Sequence, residues 1–399
     1  MTPDNTYIIP SEDGDLLYAP LSRFVCRISD NSAKVTIPPQ VVKINEANSD
    51  YSFLWGHVII IPTQVCNLAC TYCFARHAHS KQIISKETLQ VVYDFVLSQG
   101  QEKHKSVSFI GGGEPLVVWD IVKWSIEYIE KHKTPSDIVD VFLTTNGTLL
   151  NSERIDFLLQ HKVHIEVSFD IIKHLQDSQR PFLSDKQSSY ESVMRQIHLL
   201  EEKGASYRVR TTITPQSVQL MPEMVKQLIG FKGVRTIQLE PVTQENAHHI
   251  DFYKQYTEFF WTARDVGRRN DVNVSNSIVA SVKTIRDQFC TGEFCITPDG
   301  TIVACHRNSS QRDPLFSSST VGKVTNEVAI QYQQFDSFRM RTSLPSRCEC
   351  CFARWHCAGF CPLEWDNVTE IDIQNKCSFI QENIKRALQE IVDGGQKLI

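Results

Sequence analysis

The chain is short of several things that would direct its reading elsewhere. No apolar run approaches the length of a membrane span; the longest, such as "VIIIP" at 58–62, stop after a few residues. The opening "MTPDNTYIIPSEDGD" lacks a basic stretch followed by an apolar one, which argues against a secretory signal. No Lys/Arg block marks a nucleic-acid footprint, and the net charge is −5. These absences point to a cytoplasmic protein with no membrane or nucleic-acid partner, in a compartment where thiols stay reduced. Apolar residues make up 41% of the 399, enough for a sizeable core. The thirteen cysteines then favour metal or redox chemistry over a disulfide framework. Apart from Cys26 they are clustered. Cys66, Cys70 and Cys73 are followed by no cysteine until Cys290, and nine fall between Cys290 and Cys377. Two metal-binding regions are expected.

Residues 1–50 read as a short β-rich segment, with a hairpin around Asp13-Gly14. From about 51 to 245, strand and helix patterns alternate. The strands are "HVIIIPT", "SVSFIGG", "DVFLTTN", "HIEVSFD", "YRVRTTITP" and "TIQLEPV", with amphipathic helical stretches between them. Six strands joined by helices predict an α/β fold with a parallel sheet and right-handed crossovers, a partial (β/α)6 barrel. In such folds the chemistry sits at the C-terminal ends of the strands. The cysteine trio follows the first strand, and Glu114, Asn146, Ser168 and Asp170 fall at or just past later strand ends. Residues 246–289 read as a helical connection, and 290–399 as a small cysteine-rich domain with a C-terminal helix.

Gaps of three and two between Cys66, Cys70 and Cys73 let three thiolates hold three corners of one [4Fe–4S] cluster. Most iron–sulfur proteins supply four cysteines. Three leave an iron free for a substrate or cofactor, as an open catalytic zinc site does for water. The competing reading is a zinc knuckle with His77 or His79 as fourth ligand.

Cys66-x3-Cys70-x2-Cys73, with Tyr72 before the last cysteine, resembles the signature of the radical S-adenosylmethionine (SAM) superfamily. The resemblance implies that the free iron chelates the methionine part of SAM. It also implies that an electron from the cluster releases a 5′-deoxyadenosyl radical, which takes a hydrogen atom from the substrate. It carries over several positions. Gly112 and Gly113 would let the backbone approach the ligand, and Glu114 would face the methionine ammonium. Asn146 lies in "TTNG" and Ser168 near the cofactor ribose. Asp170 is followed by Ile171 where many relatives have glycine. Arg180 would meet the methionine carboxylate. Gln238 and Glu240 end the last strand.

The C-terminal cysteines resemble the SPASM extension, which carries auxiliary clusters in radical enzymes that modify peptides and proteins. The resemblance implies one [4Fe–4S] cluster on Cys290, Cys305 and Cys361, with Cys295 as a fourth ligand, and another on Cys348, Cys351, Cys357 and Cys377. With the SAM-binding cluster this makes three. A pair of structural zinc sites is the alternative. Cys350 is left over, either free or a hydrogen-atom donor. Glu364 and Asp366 are candidates for a general base, and His306 could hydrogen-bond a cluster sulfur. Three functions follow. The first is a maturase that installs an oxidative modification, a side-chain crosslink, on a ribosomal precursor peptide, fed by a donor such as flavodoxin or ferredoxin. The second is an anaerobic sulfatase-maturating enzyme, in which an aspartate occupies the position of His306. The third is a non-enzymatic zinc-stabilised binding protein. The hairpin of residues 1–50 is expected to abut the sheet and help receive the precursor.

Overall fold

A computed structural model describes residues 5–28, 35–42, 56–75, 80–99, 103–184, 187–243, 250–340, 344–364 and 368–395. Three strands, β1 (Tyr7–Ile9), β2 (Leu16–Ala19) and β3 (Phe24–Arg27), form a small antiparallel sheet in that order. The expected hairpin joins β1 to β2, with Gly14 at φ +104°, a conformation open to glycine.

The six expected strands are β4 (His57–Ile60), β5 (His104–Phe109), β6 (Ile138–Thr145), β7 (His164–Ser168), β8 (Tyr207–Ile213) and β9 (Val234–Pro241). They are parallel neighbours in sequence order. The crossovers carry α1 (Lys86–Ser98), α2 (Trp119–His132), α3 (Ser152–Gln160), α4 (Lys173–Gln179), α5 (Ser189–Glu202) and α6 (Met221–Leu228). Local chemistry sets their ends. The side chains of Ser85, Asn151 and Ser188 each accept a backbone N–H at a helix start, and Gly204 just beyond α5 is left-handed at φ +67°. In α1, Leu89, Val92, Tyr93 and Val96 form the buried stripe that fixes its face. Along β5–β9 alternate residues are buried against these helices, while the other face is polar and half-exposed, including Ser108, Thr144, Glu166, Ser168, Arg210 and Gln238.

The sheet does not stop at six strands. Its order is β10-β9-β8-β7-β6-β5-β4-β11-β12-β13-β14. Residues 246–289, expected to be helical, hold α7 (Ile250–Arg268), then strand β10 (Asn273–Ser275) parallel to β9, then α8 (Ser277–Ser281). The cysteine-rich segment continues the sheet on its other side. Its first strand β11 (Phe294–Ile296) lies parallel to β4, and antiparallel β12 (Thr301–Val303), β13 (Thr320–Val324) and β14 (Val328–Ile330) follow. The free hydrogen-bonding edge of β4 is the physical reason: the Ile61 N–H, just past the strand, donates to Ile296 O at 2.9 Å. α9 (Phe316–Ser319), α10 (Tyr332–Met340), α11 (Arg354–Cys357) and α12 (Glu370–Asp393) complete the chain. α12 packs on α7, with Tyr253 stacked on Phe379 at 4.5 Å and Arg264 held to Glu390 by its Nε and Nη2.

The hydrogen bonds that fasten the N-terminal sheet run to the C-terminal region. Arg27 pairs with Asp393 at 2.6 Å, Gln389 donates to Ser11, and Tyr18 bonds His356. The hairpin was expected to abut the barrel sheet; among the described residues these side-chain bonds run to α11 and α12.

Candidate active site

The cysteine trio lies in the segment leaving β4, and backbone bonds tie this segment to the last residue of α4 and the chain beyond it. The Ala69 N–H donates to Pro181 O (2.8 Å), Thr71 N–H to Gln179 O (2.8 Å), and Leu183 N–H to Asn67 O (2.9 Å). Burial pushes the Cys66 thiol up to about 12 and the Cys70 thiol up to about 11; Cys70 and Cys73 add to the rise at Cys66. Free thiols so placed stay protonated, and a bound cation is what would make them thiolates. Nitrogen donors already face the first sulfur: Leu68 N–H at 3.5 Å and Asn146 Nδ2 at 4.0 Å from Cys66 Sγ. Among the described residues no three His, Cys, Asp or Glu side chains converge on a single-ion site. Cys66, Cys70 and Cys73 are electrostatic neighbours at one strand end, and three thiols are the donor set that a three-thiolate cluster would need. His77 and His79, the alternative zinc ligands, lie outside the described residues.

Around the trio the strand ends assemble a buried polar network. Gly113 packs on the chain leading to Cys66: its N–H donates to Thr63 O at 3.0 Å, and a Cβ there would stand 2.1 Å from Val65 O. A Cβ on Gly112, at φ +65°, would stand 2.4 Å from Ile61 Cγ2. Within the chain, the close approach that demands glycine at both positions is to residues 61–65. Glu114 is bonded within the chain. Its buried carboxylate accepts Leu116 N–H (3.0 Å), Thr145 Oγ1–H (2.6 Å) and Asn146 N–H (2.7 Å). It ties β5 to β6, where it was expected to face an ammonium group. Burial lifts its pKa above the ordinary value even against those bonds. Asn146 donates to Asn67 Oδ1 (2.9 Å) and accepts from Thr148, so it positions the residue next to Cys66. Ser168 ends β7, half-buried.

Asp170 is fully buried. It accepts Tyr72 O–H at 2.5 Å and Gln179 Nε2–H at 3.1 Å, and stands 3.1 Å from Arg180 Nε. The alignment of that ion pair falls short of a hydrogen bond, which leaves Arg180 Nε and Asp170 Oδ1 with unmet bonding capacity. Arg180 also lies over the Tyr72 ring at 5.2 Å. Burial opposes its charge, but Asp170 and Tyr72 outweigh that and raise its pKa. Arg180, expected to meet a ligand carboxylate, here has Asp170 as its carboxylate. Ile171 occupies the left-handed region at φ +63° although β-branched, so the turn keeps the shape glycine would give it. Sequence reasoning missed Gln179, which bridges Asp170, Thr71 and Thr214; its only signal was adjacency to Arg180.

The Radical SAM superfamily matches residues 60–229. This segment is a radical SAM domain. The chain is 22% identical over 331 residues to a serine-type anaerobic sulfatase-maturating enzyme of Klebsiella aerogenes, covering 77% of this chain and 79% of that one. It is 23% identical over 264 residues to a cysteine-type anaerobic sulfatase-maturating enzyme of Clostridium novyi (strain NT), covering 60% and 70%. The solved structure of native anSMEcpe with bound AdoMet and Cp18Cys peptide shares the fold, with a TM-score of 0.71 at 18% identity over 85% of this chain and 99% of that one. Among the described residues no helix is long and apolar enough to cross a membrane.

Beyond the radical SAM domain the C-terminal thiols fall into two neighbourhoods. Burial raises Cys305 most, then Glu293, with Cys290 and Cys361 adding to it; Cys290 is raised to about 11 by burial, with Glu293 and Cys361 contributing. Cys295 is wholly buried on β11 among Ile59, Ile61 and Val303, where burial lifts its thiol well up and Cys305 is the nearby cysteine. In the second neighbourhood, burial pushes Cys357 up to about 12, with Cys377, Cys348 and Cys351 as neighbours. Gln381 Nε2 stands 3.3 Å from Cys351 Sγ. Between Cys357 and Cys361, Ala358, Gly359 and Phe360 are all left-handed (φ +45°, +85° and +51°). Two non-glycine residues in this region store strain, which clusters at functional sites. Cys350 is exposed.

Two acid–base pairs adjoin these thiols, one buried and one half-buried. Glu364, considered as a base, is held 3.0 Å from Lys376 Nζ, and both are largely buried. Asp366 lies outside the described residues. Glu293 accepts the His306 backbone N–H (2.6 Å) and faces its Nδ1 at 2.9 Å. Burial pushes the Glu293 carboxyl up, but His306 outweighs it and holds the group below the ordinary range. His306 also sits edge-on to Phe74 at 5.8 Å, one residue past Cys73, so it spans the seam between the trio and Cys305. Gln64 Nε2–H to Ser309 O (2.9 Å) and Arg307 Nη2–H to Thr243 Oγ1 (2.9 Å) anchor the same turn to the first and last barrel strands.

Proposed function

We propose that this radical SAM enzyme oxidises side chains of a ribosomally made precursor peptide, joining two of them in a crosslink, with two auxiliary clusters in a SPASM-type C-terminal region. The observation that carries the reading is the sorting of the C-terminal cysteines into Cys290/Cys305/Cys361 and Cys348/Cys351/Cys357/Cys377, beside a separate trio at the first strand end. The donor sets fit. Cys66, Cys70 and Cys73 would hold the SAM-binding cluster, the quartet a closed cluster, and Cys295 or an open iron would complete the third.

When bound, SAM and its cluster supply reductive cleavage to methionine and a 5′-deoxyadenosyl radical that removes a hydrogen atom from the substrate. The chain's own residues then have three tasks. Asn146 and the Leu68 N–H hold the Cys66 corner, and N–H donors to a cluster sulfur tune its potential. The Tyr72–Asp170–Arg180–Gln179 network fixes the trio's loop against α4 and β8. The half-exposed polar face of β5–β9 supplies space and hydrogen bonds for a peptide. Crosslink formation removes one further electron and one proton from the substrate. Auxiliary clusters held by the two C-terminal cysteine sets would supply an acceptor for that electron, and a flavodoxin or ferredoxin would supply the one that cleaves SAM.

The relatives favour a second reading, oxidation of Ser or Cys to formylglycine. His306, in place of the aspartate of that group, counts against it. Anoxic reconstitution with iron and sulfide, then SAM and a reductant, tests both. Three clusters and 5′-deoxyadenosine are expected. Loss of two hydrogens from a precursor peptide, with two side chains linked, supports the first reading. A hydrazine-reactive aldehyde in a sulfatase-type peptide supports the second. Colourless zinc in all three sites refutes both.

A further inference from the structure

The N-terminal sheet adjoins the Cys351 and Cys357 side of the Cys348/Cys351/Cys357/Cys377 set and is fastened to the far end of the helix that carries Cys377. His356 precedes Cys357 and is fully buried. Its Nδ1 faces two carbonyl oxygens, Ser281 O at 3.1 Å and Thr284 O at 3.0 Å. Carbonyls only accept, so Nδ1 carries the proton and Nε2 is an acceptor. Among the described residues the donor on Nε2 is the hydroxyl of Tyr18, itself fully buried on β2, with its ring stacked on the imidazole at 5.9 Å. Tyr7, 6.4 Å from Tyr18 ring to ring, lies beside Trp355 and Cys351. Arg27 and Ser11 also hold the C-terminal end of α12, the helix that carries Cys377 in its first third, through Asp393 and Gln389.

We infer that the N-terminal sheet is a lid on the second auxiliary cluster, and that Tyr18, through His356, is a positioning residue for the Cys357 ligand. The inference rests on the quartet holding a cluster, as proposed above. Tyr18→Phe leaves a buried imidazole nitrogen without its donor and loosens the lid. Outer-shell partners of metal ligands typically change metal affinity by about 10–100-fold. Water reaching the cluster stabilises its more negative reduced state, so the potential moves upward.

The experiment uses the full chain, reconstituted anoxically as wild type, Tyr18→Phe and Tyr207→Phe. Tyr207 is a buried barrel tyrosine whose hydroxyl donates to Glu201, so it reports the general cost of removing such a hydroxyl. Iron loss to a chelator is followed for each cluster, and midpoint potentials by EPR-monitored titration. Tyr18→Phe is expected to lose one cluster's iron about tenfold faster, with an upward shift of that cluster alone and unchanged SAM cleavage. Tyr207→Phe is expected to match wild type. The inference is overturned if Tyr18→Phe matches wild type in both measurements, or if Tyr207→Phe reproduces its effects. Should Tyr18→Phe not fold, Arg27→Ala loosens the same sheet from a surface pair and is judged by the same readouts. If wild type itself takes up iron for no auxiliary cluster, the reading of the quartet fails first, before any substitution is compared.

Discussion

Asp170→Asn tests whether the network beside the cysteine trio is held by charge. Asp170 is fully buried and Arg180 nearly so. The substitution keeps the size and one acceptor oxygen, but removes the countercharge 3.1 Å from Arg180 Nε. Breaking a buried pair from one side costs about 3–5 kcal/mol, because the partner charge is stranded. It also weakens the charge-assisted bond from Tyr72 O–H, next to Cys73. Against a total stability of about 5–15 kcal/mol this is large. Removing both charges separates the stranded-charge effect from simple loss of contacts. Asp170→Asn/Arg180→Met should recover most of the loss, since no charge is then left stranded in the interior. Urea denaturation of the four apo-proteins completes the double-mutant cycle. A single-mutant cost below about 1 kcal/mol, or a double mutant no more stable than Asp170→Asn, would refute the argument.

Gly113→Ala places a methyl 2.1 Å from Val65 O and must shift the chain entering the trio; reconstituted protein should lose iron from the SAM-binding cluster while retaining the auxiliary iron, counted by EPR. At Ile171 the left-handed backbone disfavours a side chain by about 1–2 kcal/mol, so Ile171→Gly should be at least as stable as Ile171→Ala despite removing more buried surface, a reversal of the usual order that urea midpoints will show. Hydrogen bonds from Lys105 and Thr134 hold the Asp137 carboxyl down to about 2. A depressed carboxyl stabilises the fold above its unfolded pKa of about 3.9, and this contribution disappears as pH falls through about 2. Asp137→Asn should therefore flatten the stability profile between about pH 4 and pH 2, measured by urea midpoints across that range.

The strands and helices of residues 57–241 were legible because each carries a local signal: alternation or a short apolar run, a capping Ser or Asn, a helical stripe. The grouping of the cysteines into two regions follows from their short fixed gaps along the chain. β10 and β11 were not. Three-residue strands carry too little periodicity, and what makes them strands is the open edges of β9 and β4, which exist only once the barrel is assembled. The turn at Pro298-Asp299-Gly300 between β11 and β12 was the one local signal available, and Gly300 there is left-handed at φ +79°.

Side-chain roles divide along the same line. That Glu114, Asn146 and Asp170 stand at strand ends follows from the order of residues along the chain. That Glu114 ties β5 to β6, that Asp170 takes Arg180 as its partner, and that Tyr18 reaches His356 across more than 300 positions follow from packing alone. Sequence sets which groups lie within a few residues of one another, and hence the cysteine spacings and the helix caps. Only the closed fold sets which buried donor meets which acceptor, because burial is what makes an unpaired polar group costly enough to choose its partner.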